Sequence, residues 1–472
     1  MKLFKRLKKS SSKYSALSAN MLLFAISSFG SKIISFLLVP LYTSVLSTEE
    51  YGTVDLLTTT ATLLIPIMTL NIQDAVLRFA LDKSYRPSDV ISTGFRINLI
   101  GGGVVFLGLL TVKRLGFIST DGTLLLFMFM MYLLGALNNM LTLYLKARDR
   151  IPVLVVSGLM NTILMCVLNI LFLLVFEMGL NGYLWAYVLS NLAAVLYQLI
   201  FGRILGEVHL FTAKNIAGDM VAYSSPLIAN SIAWWINNAS GRYILTLFCG
   251  VAANGLFSVA YKIPTILSTI QSIFYNAWSI SAIKEFDPKD RDGFIGDIFN
   301  TYSVLSVFVC SGIMLLNIPL AEILYANSFF SAWQYVPFIL VGTVFNGLAL
   351  FQGCLFTAVK RTKDVSRSTM AGAVVNIIGN LVFIYFMGTM GAALAAMCGY
   401  LVTFLMRSWN LREIISMKIN HRKMGCGYAL LTAQAVISVI PELYLYQLVP
   451  MLAIVVLEGK YIKGIIRKIV KG

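Results

Sequence analysis

The sequence predicts an all-α integral membrane protein of about fourteen spanning helices. Two observations carry this. Hydrophobic residues make up 58% of the 472 and charged residues only 12%, against roughly 25% charged in a soluble domain. So few charges cannot coat a water-facing surface, and lipid must be the solvent for much of it. The apolar residues also come in runs of about twenty, the length of helix that crosses a hydrocarbon core.

The elements follow in order. Segment 1–14 carries Lys2, Lys5, Arg6, Lys8, Lys9 and Lys13 and is predicted to be a basic cytoplasmic N-terminus. It resembles the positive region of a signal peptide, but the next apolar stretch is too long and no small-residue cleavage site closes it. It reads as a retained first span. Apolar runs place spans over 15–40, 52–77, 90–112, 122–145, 152–176 and 181–202, an N-terminal lobe over 15–205. The next six, over 218–247, 254–280, 297–317, 333–358, 366–387 and 390–411, make a C-terminal lobe over 218–412. Two shorter runs, 424–440 and 443–458, add a last pair of helices over 424–458. The tail 459–472 is basic and amphipathic, suited to lying on anionic membrane lipids at the cytoplasmic surface. Connections are short, and no soluble domain is expected.

The net charge is +16, from 37 Lys+Arg against 21 Asp+Glu. Such a balance can signal nucleic acid. Here the basic residues cluster between apolar runs, which suits membrane topology and not a nucleic-acid groove. With the N-terminus inside, the clusters at Arg78, Lys83 and Arg86, at Lys146, Arg148 and Arg150, and at Arg203 and Lys214 all fall on the cytoplasmic side. So do those at Lys284, Lys289 and Arg291, from Lys360 to Arg367, from Arg407 to Lys423, and in the tail. The outer loops hold only Lys113 and Arg114. The expected setting is an inner or plasma membrane crossed many times, with both termini cytoplasmic. Lys32, Arg96, Arg242 and Lys262 remain, and all fall inside spans. A charge there costs at least ~2.5–3.5 kcal/mol, so it persists where it faces a polar cavity or a partner.

Six cysteines are scattered through apolar segments without a CxxC, and the two histidines lie far from any Cys or acidic cluster. No disulfide framework, metal site or cofactor is expected. The outer loops lack His, so no acid–base constellation can be assembled there and an enzyme is not expected.

The halves resemble each other. NILFLLVFEMGLNGYLWAYVLS from Asn169 matches NLVFIYFMGTMGAALAAMCGY from Asn380, each an apolar helix half, an outer turn and a small-residue helix. SFGSKIISFLL around Lys32 matches NASGRYILTLF around Arg242. The lobes are therefore two six-helix units in parallel repeat, an architecture that in transporters surrounds a central cavity.

Three stretches carry a family resemblance. FLLVPLYTSVLSTEEYGTVDLL (Phe36 to Leu57), DAVLR (Asp74 to Arg78) and FCGVAANGLFSVAYKIP (Phe248 to Pro264) resemble the Wzx-like polysaccharide flippases. These belong to the multidrug/oligosaccharidyl-lipid/polysaccharide exporter superfamily. The resemblance implies two six-helix lobes around a cationic cavity. It also implies outward movement of a polyprenyl-diphosphate-linked oligosaccharide by alternating access, in making O-antigen, capsule or exopolysaccharide. The expected partners are the lipid-linked oligosaccharide, anionic membrane lipids, a polysaccharide polymerase and glycosyltransferases, and no nucleic acid. A diphosphate needs cations in place of its lost water, which makes Lys32, Arg242 and Lys262 candidates to bind it. Arg78 and Arg96, near the cytoplasmic ends of their spans, are candidates for the inner end of the path. Each could instead be structural, by snorkelling or by pairing, as Arg78 could with Asp74 at i, i+4. Asn161, Asn169, Asn376 and Asn380 suit interhelical hydrogen bonds or sugar hydroxyls. Pro40, Pro66, Pro264 and Pro319 are expected to bend helices. A multidrug exporter of the same superfamily would favour acidic cavity residues. A membrane polysaccharide polymerase or ligase would need a long outer loop.

Overall fold

The computed structural model describes Gly30 and residues 32–115, 121–209 and 216–471. The predicted basic segment 1–14 and residues 15–29 and 31 of the first span lie outside the described residues, as do the side chains of the tail from Lys460 on. Among the described residues the regular structure is helical throughout. Ten helices are long and apolar enough to cross a membrane, and two shorter apolar helices, Lys32–Val45 and Val251–Ala260, lie in predicted spans.

The contacts divide the chain into two compact units, Met1–Leu46 with Thr53–Trp235, and Ser47–Gly52 with Ile236–Gly472. The first unit contains α1 (Val39–Val45), most of α2 (Thr48–Met68), α3 (Ile72–Ala80), α4 (Pro87–Arg114), α5 (Gly122–Ala147), α6 (Ile151–Ile170) and α7 (Gly179–Phe201). Proline in the first turn opens α4 and α6, where a missing amide costs nothing. Asp121 caps α5 by accepting from the Thr123 amide at 3.2 Å. Helix α5 forms the centre of this unit. Tyr132, Met140, Tyr144 and Leu145 on it are fully buried, in one cluster with Ile72 and Val76 of α3 and Val90 and Ile91 of α4.

Helix α8 (Ala217–Cys249) runs across the unit boundary. The second unit continues with α9 (Val251–Ala260), α10 (Pro264–Lys284), α11 (Phe294–Leu315), α12 (Asn317–Leu324), α13 (Val336–Ala358), α14 (Thr362–Met387), α15 (Thr389–Leu411), α16 (His421–Ser438) and α17 (Leu448–Lys471). Helix α13 is its core, and α10, α11, α15 and α16 all pack on it. Helices α14 and α15 approach through small residues. A Cβ on Gly372 would come within 2.7 Å of the Gly399 carbonyl oxygen, and one on Gly399 within 2.9 Å of the Gly372 carbonyl. Small residues at such crossings let membrane helices touch backbone to backbone. The opposite face of α14 exposes Met370, Ile378, Tyr385 and Phe386, as a lipid-facing surface requires.

Three expectations are corrected here. The span predicted over 52–77 is broken at Leu70 and Asn71, both at a left-handed φ of 53°. Pro66 lies inside the preceding helix, and the Asn71 amide reaches back to its carbonyl at 2.9 Å. The span predicted over 254–280 is likewise α9 and α10, parted just before Pro264. The last span and the tail, predicted as separate elements, form one helix, α17, which continues through Gly459 to Lys471. Apolarity ends near residue 458, but backbone hydrogen bonding does not need apolar side chains.

The internal repeat has a structural counterpart within each unit. Before α6, Asp149 takes a φ of 54° and the Arg150 amide donates to the Leu145 carbonyl at 2.9 Å. Before α14, Lys360 takes a φ of 61° and the Arg361 amide donates to the Phe356 carbonyl at 2.9 Å. At the far ends, Glu177 (φ 49°) and Gly388 (φ 57°) make matching turns. The helices that follow, α7 and α15, are each 23 residues long. The turns are also tied alike. Arg150 lies 3.3 Å from Glu207, and Arg361 lies 3.8 Å from Glu413.

Candidate functional site

In the second unit, Arg242 projects from α8 into a cavity of about 20 Å³, lined also by Tyr261, Asn376, Asn380 and Tyr400. That volume suits about one water. Tyr261, Ala396 and Tyr400 also line a second cavity of about 120 Å³, with Thr265, Ser268, Thr343 and Asn346. Between them the two cavities present a guanidinium donor, phenols, hydroxyls and amides. Asn380 donates to the Asn376 side-chain oxygen at 2.8 Å, and its own side-chain oxygen is buried without a hydrogen-bond partner among the described residues. Gly241 lets α8 approach it, since a Cβ there would lie 3.2 Å from that oxygen. Lys262 directly follows Tyr261 in the break between α9 and α10 and is half-buried, but it lines neither cavity.

The first unit holds the other candidates. Arg78 ends α3, where the helix dipole favours a cation, and is exposed. It pairs with Asp82 at 3.7 Å and not with Asp74. Asp74 instead accepts from the Asn71 amide group, because the break at Asn71 turns the first residues of α3 toward that side chain. The Asp82 carboxyl sits below the usual carboxylate range, held there first by the Ser84 hydroxyl and amide and then by Arg78. Arg96, half-buried on α4, donates to the Thr93 hydroxyl at 3.1 Å. Helices α3 and α4 pack on each other. Lys32 is exposed on the helical segment that precedes α1.

Asn169 donates to Met165 within its own helix, as Asn380 does to Asn376, so these bonds are intrahelical and not the predicted interhelical ones. Trp235 donates to the Thr59 carbonyl at 2.9 Å, which anchors it.

Two charged residues escaped the sequence reading. Arg407, assigned to a cytoplasmic connection, is 5% exposed within α15. Its guanidinium donates to the Ala349 carbonyl, to Ser368 at 3.0 Å and to Thr369 at 2.9 Å. The signal was its position inside the apolar run 390–411. Glu458 is buried on α17 and pairs with Lys423 of α16 at 2.7 Å. Its signal was a lone acid at the end of an apolar run.

Among the described residues, ten helices long and apolar enough to cross a membrane, with apolar side chains on their outer faces, define a polytopic membrane protein. A family described as polysaccharide biosynthesis protein matches residues 17–279, and the chain belongs to that family. It is 22% identical to a probable low-salt glycan biosynthesis flippase of Haloferax volcanii over 374 residues, 75% of each chain. It is 23% identical over 301 residues to an uncharacterized membrane protein of Methanocaldococcus jannaschii, a match that spans 58% of this chain and 57% of that protein. Among solved structures, the lipid II flippase MurJ in an inward closed conformation superposes with a TM-score of 0.70 at 14% identity, covering 94% of this chain and 100% of that one. An inward-facing multidrug resistance MATE family transporter gives 0.62 at 14% identity, over 81% and 95%. These structural likenesses establish the fold.

Proposed function

We propose that the protein is a flippase that moves a polyprenyl-diphosphate-linked oligosaccharide from the cytoplasmic to the outer leaflet by alternating access. Its product feeds surface polysaccharide synthesis, such as O-antigen, capsule or exopolysaccharide, alongside a polymerase and glycosyltransferases. Both termini are cytoplasmic in this reading. The single observation that carries it is a polysaccharide-biosynthesis family member whose charges inside predicted spans include Lys32, Arg242, Lys262 and Arg96. A cationic exported drug would be repelled by them, whereas a diphosphate is attracted. Lys32, Arg242 and Lys262 bind the diphosphate, and Arg78 and Arg96 meet it at the cytoplasmic end.

Energetics agree in sign. With the inside negative, an anionic headgroup moving outward gains about 2.3 kcal/mol per charge per 100 mV if it crosses the full field. The deciding experiment is flipping of a lipid diphosphate oligosaccharide in vesicles with an imposed potential. A correctly inserted Lys32→Ala, Arg242→Ala, Lys262→Ala variant should be close to inactive, and flipping at the wild-type rate would refute the cationic site.

A further inference from the structure

A cavity of about 230 Å³ opens in the second unit between α11, α13, α15 and α16 and the connection before α16. It is remote in sequence from the cations of the proposed transport path, and none of them lines it. It has room for a small polar headgroup and not for an oligosaccharide. Three features give it a chemistry.

Its floor is Gln352, 1% exposed, which donates from Nε2 to the Ser408 hydroxyl at 2.7 Å. The Oε1 of Gln352 is buried with no hydrogen-bond partner among the described residues. That oxygen has no surface open to the cavity, whereas the half-buried Ser408 lines it, so the Ser408 hydroxyl is the polar contact that the floor offers.

Its rim carries a cation, Arg412, and an imidazole, His421; both line the cavity and are exposed. His421 opens α16, so the amide end of that helix faces the same rim. The neighbouring acid, Glu413, is engaged by Arg361 at 3.8 Å, and no carboxylate among the described residues lines the cavity. Its wall is apolar, with Phe404, Leu405 and Met424. Leu405 is 53% exposed on the same helix whose Trp409 is 68% exposed, so the mouth reaches the lipid-facing surface as well as the polar helix ends.

We propose that this cavity holds an anionic phospholipid with a hydroxyl-bearing headgroup, of the phosphatidylglycerol type, as a resident lipid that is not transported. The phosphate lies against Arg412 and His421. A headgroup hydroxyl donates to the Ser408 hydroxyl oxygen, and the start of an acyl chain leaves past Leu405. A choline headgroup fails the second requirement because it has no donor. Free phosphate fails the third because it leaves the apolar wall uncovered.

The test uses the full chain in detergent micelles and follows its thermal midpoint by intrinsic fluorescence. The additives are phosphatidylglycerol, phosphatidylcholine with the same acyl chains, or inorganic phosphate. Phosphatidylglycerol should raise the midpoint saturably, and the other two should not. Gly425 lines the cavity, and a Cβ there meets nothing within 4 Å, so Gly425→Phe should plug it without disturbing the helix. That variant, and separately Arg412→Ala with His421→Ala, should weaken the apparent affinity at least tenfold. Equal stabilisation by phosphatidylcholine would overturn the headgroup assignment, and equal stabilisation by inorganic phosphate would reduce the site to an ion site. An undiminished shift in both variants would place the lipid elsewhere.

Discussion

Lys423 Nζ lies 2.7 Å from the carboxylate of Glu458, whose side chain is only 5% exposed. The pair joins α16 to α17 near the end of the chain, where hydropathy alone gives the weakest helices. Removing one partner of a fully buried pair costs about 3–5 kcal/mol. Because Lys423 keeps 29% exposure, Glu458→Ala should cost less, about 2 kcal/mol. Lys423→Met together with Glu458→Gln should recover most of that. Thermal midpoints of the purified chain check both.

The Gly372–Gly399 crossing predicts a sharp contrast between glycines. Gly372→Val must displace either the Gly399 carbonyl or the Thr403 side chain, and overpacking of this kind costs about 1–3 kcal/mol or more. Gly103, on the exposed face of α4, has open space where a Cβ would stand, with nothing within 4 Å. Gly103→Ala should be neutral or stabilise by up to about 1 kcal/mol through helix propensity. Comparable losses in both variants would refute the assigned faces.

Arg407 is a structural cation. Arg407→Ala leaves the Ala349 carbonyl and the Ser368 and Thr369 hydroxyls without their shared donor. Hydrogen bonds to charged groups contribute about 1.5–3 kcal/mol each, so a loss of at least about 3 kcal/mol is expected. Arg407→Lys, with a point charge in place of a fork, should fall between. The check is the yield and melting midpoint of folded protein. An effect on transport with unchanged stability would instead move Arg407 to the substrate path.

Arg242 should behave as a charge. Flipping rates in vesicles should rank Arg242→Lys above Arg242→Ala, with Arg242→Glu lowest. Loss of one charged hydrogen bond corresponds to about 1.5–3 kcal/mol of binding. An Arg242→Glu variant as active as Arg242→Ala would mean that the small cavity beside Tyr261 and Tyr400 holds Arg242 for packing alone.

Much of this was legible in the sequence, because a bilayer demands long apolar runs and punishes isolated charges. The runs that became α4, α5, α7, α13 and α15 could be read within a few residues. The match of Asn169 with Asn380 pointed to the repeat that the turns at Asp149 and Lys360 then displayed. Other features depend on three-dimensional packing. Nothing in the local pattern at Leu70 says that its φ is positive, although Pro66 marked the region. Arg407 looked like a surface residue because it sits in the last turns of its apolar run, among the basic residues that follow. It is buried because Ala349, Gly353 and Ser368 come together to receive it, and they lie 39 to 58 positions before it in the chain. Tyr261 and Tyr400 could not be joined to Arg242 by spacing at all.

The backbone contact between α14 and α15 limits how the second unit can deform. Two helices that meet through side chains can slide by changing rotamers, but Gly372 and Gly399 have none to change. That pair must move as one stiff strut. Bending of the second unit is then left to points where a helix there is already interrupted, such as the residues before Pro264. Those few residues are the natural hinges.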